Sequence, residues 1–196
     1  NFTTDADQRF FGPGSMSDLV TPVAVRVDAV GNVYVAEWGG TVTQTAGEVT
    51  FPARLLRYDA QAITQALSAG QQTVSASRVL LQAPTDPIDA PNALAIDPVR
   101  NGLWIQNNPT GKTHFYDFAL QRITKTIEGT ANARGVDLDA AGNAFVVEAV
   151  PPIQDSDTVH RYAASIIGPA SASPVTIQRN SHQGVVKHGG SDNMLD

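Results

Sequence analysis

The chain has 196 residues, of which 42% are hydrophobic, and this predicts a globular domain with a sizeable core rather than disorder. Its formal net charge of -6 argues against nucleic acid as a partner, because no basic surface is available for phosphates. No apolar run approaches the roughly 18 residues of a membrane span, and the absence of cysteine excludes disulfides, thiolate metal sites and covalently attached c-type haem.

The first residues contain no initiating Met, no basic segment and no apolar leader, so we expect Asn1 to be the end of a processed or trimmed chain. Lysine is scarce, whereas Ala, Thr, Ser, Gln and Gly are abundant. This composition is typical of an exported bacterial protein and predicts an extracellular or periplasmic location.

Three segments of the chain repeat one pattern, at residues 22–37, 91–107 and 133–148. Each pattern predicts an apolar-alternating strand that ends in Asp, a turn that contains Gly and Asn, and a second strand with an aromatic residue near its start. The Asp residues are Asp28, Asp97 and Asp139, and the aromatic residues are Tyr34, Trp104 and Phe145. We expect a tight hairpin in each copy, because Gly and Asn tolerate a positive φ.

A further strand with a central Tyr follows each hairpin, marked by Tyr58, Tyr116 and Tyr162. Candidate fourth strands come next, at residues 78–82, 122–127 and 175–179. Four short antiparallel strands per repeat are typical of a propeller blade. The first repeat is longer than the others, and we expect its extra length at residues 39–50 and 60–77, with a helical turn over residues 60–69.

The sequence Arg9-Phe10-Phe11-Gly12-Pro13-Gly14, followed by Val20-Thr21-Pro22 and the first hairpin, resembles an NHL repeat. The resemblance implies an all-β fold, a β-propeller of four-stranded antiparallel blades. About three to four blades of a six-bladed ring are expected, at residues 20–83, 90–128 and 132–180. Residues 9–11 are expected to close a preceding blade, and residues 181–196 to form a flexible tail or to open a further blade.

Loops that enter the innermost strand and loops that leave the second strand share one face of a propeller, where ligands usually bind. The repeat places six residues there: Val23, Asn92 and Arg134 before the first strand, and Glu37, Asn107 and Glu148 after the second. We interpret Glu37, Asn92, Asn107, Arg134 and Glu148 as a ligand-binding face. Their oxygen atoms suit Ca²⁺, but such residues also cap strand ends, and the sequence favours caps.

The segment Pro91-Asn92-Ala93-Leu94-Ala95-Ile96-Asp97-Pro98 also resembles SMP-30/gluconolactonase-like propellers, in which an Asn at this place binds a divalent cation. Asn92 is the only metal ligand that this resemblance implies. Arg134 and Val23 stand where such enzymes carry carboxylates, and an Arg beside a cation is electrostatically unfavourable.

The sequence contains no nucleophile elbow, phosphate-binding loop or clustered triad, so no catalytic residue is predicted. We expect a non-enzymatic binding or scaffolding propeller without a cofactor. Its expected partner is another protein, the remainder of the propeller or a small ligand. The alternative is a divalent-metal-dependent lactonase or esterase that uses Ca²⁺ or another cation.

Overall fold

The computed structural model describes residues 19–44, 47–71, 73–108, 110–130, 132–148, 158–171, 173–183 and 185–187. The chain divides into two compact units, Asn1–Asp89 and Ala90–Asp196. Both units consist mainly of antiparallel sheet, as the repeat predicts. The strand predicted at residues 9–11 lies outside the described residues.

The first unit contains one four-stranded sheet, one separate hairpin and one helix. The sheet has the strand order β1-β2-β5-β6, with strands β1 Pro22–Val27, β2 Val33–Glu37, β5 Arg54–Tyr58 and β6 Arg78–Gln82. The hairpin is formed by β3 Gly40–Gln44 and β4 Gly47–Phe51, and the helix α1 is Ala60–Ser68. These two insertions lie where the extra length of the first repeat was expected.

The second unit contains two sheets, the first of which has five strands in the order β14-β10-β9-β8-β7. Its strands are β7 Pro91–Asp97, β8 Gly102–Asn107, β9 Lys112–Asp117, β10 Arg122–Glu128 and β14 Val175–Gln178. The other sheet has the order β11-β12-β13-β15, with strands β11 Ala133–Leu138, β12 Ala144–Glu148, β13 Thr158–Tyr162 and β15 Val185–Lys187. The helix α2, Ala164–Ile167, follows β13, and a 3₁₀ turn, Arg179–Ser181, follows β14.

The strand registers confirm that the three repeats align as predicted. The aromatic residues Tyr34, Trp104 and Phe145 each pair with the strand position two residues before the marker Asp. The three marker tyrosines each pair with the start of the second strand, and all three are buried. Each sheet therefore contains the four antiparallel strands that are typical of a propeller blade.

The marker Asp residues organise the hairpin turns. In the first repeat, Asp28 accepts hydrogen bonds from the Val30 and Asn32 amides, the Asn32 side chain and the Tyr34 hydroxyl at 2.8 to 3.0 Å. Burial alone raises the pKa of Asp28, but these hydrogen bonds hold it below its ordinary value. Burial and the contact with Asp28 raise the pKa of Tyr34 to about 12.

A second contact joins this turn to the helix that follows the third strand. Asn32 Oδ1 accepts the Ala60 amide at 3.0 Å, at the start of α1. In the third repeat, the Asn143 side chain donates to Asp139 at 2.6 Å, and its Oδ1 accepts the Ala164 amide at 2.9 Å. The same Asp-Asn-helix arrangement thus recurs in the first and third sheets.

One strand differs from the prediction. Residues 175–179 were expected to form the fourth strand of the third sheet, but β14 instead pairs in parallel with β10 at the edge of the second sheet. The fourth position of the third sheet is filled by β15, which pairs antiparallel with β13. Alternating apolar residues predict that a segment is a strand, but they do not determine which exposed edge it joins.

Each unit has its own apolar core. In the second unit, Ala95, Trp104 and Phe115 of one sheet pack with Val136 and Val146 of the other. In the first unit, Val35, Leu56 and Tyr58 pack against Ala66 of α1 and against Val74. Within the described residues, no helix is long and apolar enough to span a membrane.

Candidate functional site

The residues predicted at the strand ends are largely engaged by partners within the chain. Glu37, the last residue of β2, is 1% exposed. Its Oε1 accepts the Val20 amide at 2.5 Å, and its Oε2 accepts Arg54 Nε at 2.7 Å. Both carboxylate oxygens of Glu37 therefore have protein partners, as expected of a strand-end cap.

Asn107 occupies the corresponding position at the end of β8 and is fully buried. Its Oδ1 accepts the Ala90 amide at 3.0 Å, and its Nδ2 donates to Thr110 Oγ1 at 2.8 Å. The Asn107 side chain thus connects the segment directly before β7 with the loop directly after β8.

Glu148 ends β12 and is bound by Arg179, which follows β14. Arg179 Nε lies 3.2 Å from both carboxylate oxygens, and its Nη2 donates to Oε2 at 2.7 Å. Glu148 is buried, whereas the Arg179 side chain is about half exposed. The contact with Glu148 raises the pKa of Arg179. Sequence analysis missed Arg179, because its role depends on the unexpected course of β14.

His160 lies beside this ion pair, and we call Glu148, Thr158, His160, Arg179 and His182 the His160 cluster. His160 Nε2 is 2.9 Å from Thr158 Oγ1 and 3.3 Å from both Arg179 Nη2 and Glu148 Oε2. The rings of His160 and His182 meet edge to face, with centroids 4.6 Å apart.

The surroundings of His160 favour its neutral form. Burial lowers its pKa, and the charge of Arg179 and the neighbouring His182 lower it further, while Glu148 opposes the shift. Nε2 faces both Arg179, which can only donate, and the Glu148 carboxylate, which accepts. Nδ1 is buried and has no hydrogen-bond partner among the described residues.

The His160 cluster borders a shallow depression of about 480 Å³ in the second unit, which is lined by Glu128, Gly129, Gln178, Arg179, Asn180 and His182. The lining offers a carboxylate, two amides, a guanidinium and an imidazole, and these described residues include no Ser, Thr, Cys or Lys. His188, the other histidine of the C-terminal segment, lies outside the described residues.

Asn92 and Arg134 behave differently from the strand-end caps. Asn92 Nδ2 donates to the Ala133 carbonyl at 3.0 Å, which joins the start of β7 to the start of β11. Its Oδ1 is buried and has no hydrogen-bond partner in the part of the chain that is described. Arg134 is exposed, as is Val23 at the equivalent position of the first sheet. Among residues 19–187 that are described, no three His, Asp or Glu side chains are grouped to bind a metal ion.

Trp38 is a surface feature that sequence analysis did not single out. It directly follows Glu37, and its side chain is 58% exposed. The backbone beneath it is held by hydrogen bonds from the Trp38 amide to the Thr21 carbonyl and from the Gly39 amide to Thr21 Oγ1, both 3.0 Å. The sequence could have pointed to Trp38 only through its position directly after the second strand, where the ligand-binding face was predicted.

No protein-family model matches the chain, and no curated protein matches it. Solved structures do match it. A protein from Lactobacillus plantarum is 16% identical with a TM-score of 0.51, over 88% of this chain and 44% of that one. A eukaryotic initiation factor is 11% identical with a TM-score of 0.51, over 88% and 33%. The β-propeller domain of Myceliophteria thermophila Cps50 (Swd1) is 10% identical with a TM-score of 0.47, over 87% and 39%.

The chain spans between 33% and 44% of the length of these three structures. At such low identities, the likeness concerns the fold alone. The sheets themselves have the strand topology of β-propeller blades. The NHL type of propeller stays a prediction.

Proposed function

We propose that this chain is a non-enzymatic binding module of the propeller type, and that it recognises a protein through the loop face of its first sheet. The observation that carries the proposal is the exposed ring of Trp38 at the end of β2. Tryptophan is enriched among the residues that dominate the free energy of protein–protein binding. An exposed Trp on a fixed backbone is therefore a natural anchor for a partner.

The surroundings of Trp38 support this role. Gly39 has a φ of +73°, and a Cβ atom there would lie 2.5 Å from the Ala53 amide nitrogen, so the turn after Trp38 is tightly constrained. The hairpin of β3 and β4 begins at Gly40, directly after this turn. A rigid backbone lowers the entropy cost of binding, because little order has to be acquired on association.

The proposal includes an exported location, extracellular or periplasmic, on the basis of composition. It also includes the expectation that further blades complete a six-bladed ring, since propellers usually have about four to eight blades.

A photo-crosslinking amino acid in place of Trp38 tests the proposal. We expect the same partner protein to be crosslinked from position 38 and from Val49 of the adjoining hairpin. A probe at Val99, an equally exposed apolar residue in a turn of the second unit, serves as the matched control. Unmodified wild-type chain should compete for the partner, and a Trp38→Ser chain should not. An identical set of products from positions 38 and 99 would contradict the proposal.

A second candidate function, the divalent-metal-dependent hydrolase, is favoured by one observation. Asn92 Oδ1 is a buried oxygen without a hydrogen-bond partner in the described residues, at the position where the SMP-30/gluconolactonase-like resemblance implies a cation ligand. Titration of the wild-type protein with Ca²⁺ in a calorimeter tests this candidate. Ca²⁺ binding that disappears in Asn92→Leu but persists in Asn180→Leu would support the hydrolase candidate. A wild type that releases or absorbs no heat on addition of Ca²⁺ would contradict this candidate.

A further inference from the structure

One carboxylate oxygen in the second unit is shared by an arginine and a histidine. Glu148 Oε2 lies 2.7 Å from Arg179 Nη2 and 3.3 Å from His160 Nε2. The Glu148 and His160 side chains are buried, so water does not replace either partner of this oxygen. The protonation state of His160 therefore bears directly on the ion pair between Glu148 and Arg179.

His160 contacts Arg179 through the same ring nitrogen that faces Glu148. Nε2 is 3.3 Å from Arg179 Nη2, and it accepts a hydrogen bond from this group only while it carries no proton. In the protonated ring, Nε2 must donate. The acceptors within reach are Glu148 Oε2 at 3.3 Å and Thr158 Oγ1 at 2.9 Å. Protonation of His160 thus removes an Arg179 contact and strengthens a Glu148 contact.

The other ring nitrogen does not compensate for this change. Nδ1 is buried and has no hydrogen-bond partner among the described residues. A protonated ring also places a positive charge against the Arg179 guanidinium, where burial makes the repulsion stronger than in water. Protonation of His160 and the binding of Arg179 to Glu148 therefore oppose each other.

Of these two cations, Arg179 is the one that can leave. The Arg179 side chain is 46% exposed, whereas the His160 side chain is 3% exposed. A guanidinium that turns outward is hydrated at little cost, because a long side chain can keep its charged end in water. A buried imidazolium has no such route and needs the carboxylate.

Arg179 connects β14 to the third sheet. It directly follows β14, which pairs with β10 over only four residues at the edge of the second sheet. The Tyr162 hydroxyl of β13 also reaches the Arg179 carbonyl, but at 3.5 Å this hydrogen bond is weak. Loss of the ion pair should therefore loosen β14 more than the strands inside the sheet.

Other charged or titratable groups surround this contact. On the elements next to His160 they are Tyr162 of β13, His182 after β14, Glu128 and Lys112 at adjoining ends of β10 and β9, and Lys187 of β15, in register with Thr158. The His182 ring meets the His160 ring edge to face, with centroids 4.6 Å apart. Glu128 forms an ion pair with Lys112 at 3.3 Å, so Glu148 is the carboxylate that receives the proton-bearing ring.

We propose that Glu148, His160 and Arg179 form a pH-sensitive latch between the second and third sheets. While His160 is neutral, Arg179 binds Glu148 and holds the end of β14 beside the third sheet. When His160 is protonated, Glu148 Oε2 passes from Arg179 to His160, Arg179 turns into water, and β14 is loosened. The latch needs no partner molecule and is independent of the function proposed for Trp38.

The latch should open on the acid side of neutrality. Burial lowers the pKa of His160 below its ordinary value, Arg179 and His182 lower it further, and Glu148 opposes the shift. Opening therefore begins as the pH falls below about 6.5 and is complete below the folded-state pKa.

Hydrogen exchange of the wild-type chain at about pH 7.5 and about pH 5 tests the latch. After correction for intrinsic exchange, we expect protection of the β14 amides to fall about fivefold or more at the lower pH. The amides of β8, inside the second sheet, should keep their protection. Arg179→Gln should show low protection of β14 at both pH values, because its latch is always open.

His160→Leu should keep β14 protected at both pH values, since it retains the ion pair and lacks the titrating ring. Leu56 occupies the same register position in the first sheet, so this variant should fold. A wild type whose β14 protection does not fall would overturn the proposal. So would a fall of the same size in His160→Leu.

A second test uses the reciprocity of the coupling and does not depend on His160→Leu. If protonation weakens the Arg179 contact, removal of that contact must favour protonation. The pKa of His160, followed by NMR of its ring protons, should therefore rise in Arg179→Gln. Arg161→Gln is the matched control, because Arg161 follows His160 on β13 and points to the opposite face. An unchanged His160 pKa in Arg179→Gln, or an equal rise in Arg161→Gln, would contradict the latch.

Discussion

At the level of single residues, Asn32 and Asn143 each join the turn of a hairpin to the helix that follows the third strand. Each binds the marker Asp of its turn through Nδ2 and accepts the first amide of a helix through Oδ1. Ser, Thr, Asn and Asp side chains commonly satisfy backbone groups at turns and helix starts. Here one side chain performs both tasks.

Asn143→Ala removes both contacts and leaves the Ala164 amide without its acceptor. We expect the free energy of unfolding to fall by about 1–3 kcal/mol, as measured by urea denaturation. Asn32→Ala should have a similar effect, because the first sheet repeats the arrangement. Gln61→Ala on the exposed side of α1 is the control and should be close to neutral. A neutral Asn143→Ala variant would show that the arrangement contributes nothing to stability.

His160 should make stability depend on pH. Its folded-state pKa lies below the ordinary value of about 6.5, so the unfolded chain binds the proton more readily. The contribution of His160 to the free energy of unfolding is fully present above a pH of about 6.5. It is lost as the pH falls toward the folded-state pKa of His160. Glu148, Arg179 and His182 are the charged or titratable groups that face it.

The substitution His160→Leu tests this dependence, because Leu56 occupies the same register position in the first sheet. We expect thermal unfolding of His160→Leu to vary less with pH below about 6.5 than that of the wild type. Asn180→Ala, which removes an exposed uncharged side chain and keeps His160 with all its neighbours, should retain the wild-type slope. Equal slopes for the wild type and His160→Leu would place the titration elsewhere.

At the level of secondary structure, the exchanged strand β14 distinguishes the second unit from a simple repeat. It follows β13 of the third sheet in the chain, pairs in parallel with β10 of the second sheet, and ends at Gln178, directly before Arg179. Arg179 contacts the third sheet through its ion pair with Glu148. Backbone pairing and the ion pair together connect the two sheets.

Arg179→Ala should loosen β14, because a buried carboxylate loses its cation. Since Arg179 is about half exposed, we expect a loss of only about 1–2 kcal/mol. Hydrogen exchange should show faster exchange at Thr176 and Ile177 than in the wild type. Arg78→Ala, at an exposed position of β6, should leave these amides unchanged. Unchanged protection in Arg179→Ala would show that backbone pairing alone holds the strand.

The strands and turns could be predicted because they depend on local signals. Asp, Gly and Asn at fixed offsets predicted the three hairpins, and Gly31, Asn101 and Gly142 indeed have positive φ. The exchange of β14 could not be predicted, since it depends on which sheet edge is open after the chain has folded. The partner of Glu148 was missed for the same reason.

At the level of the whole molecule, the fold was more predictable than the site. The repeat predicted propeller-type sheets, and the strand topology agrees with it. The ligand-binding face stays a prediction, and Glu37, Asn107 and Glu148 have partners within the chain. Residue type alone does not separate a cap from a ligand, because both need the same oxygen atoms.

The Asp-Asn-helix arrangement has a consequence for how this chain tolerates change. The excursion after the third strand is nine helical residues long in the first sheet and four in the third, yet its first amide is anchored in the same way in both. Because the start of the helical segment is held in place, the length of that segment can differ between the sheets. A segment grafted after the helix of the first sheet, at the exposed Gly70, should thus be accommodated, which makes this position a natural attachment point for an engineered insertion.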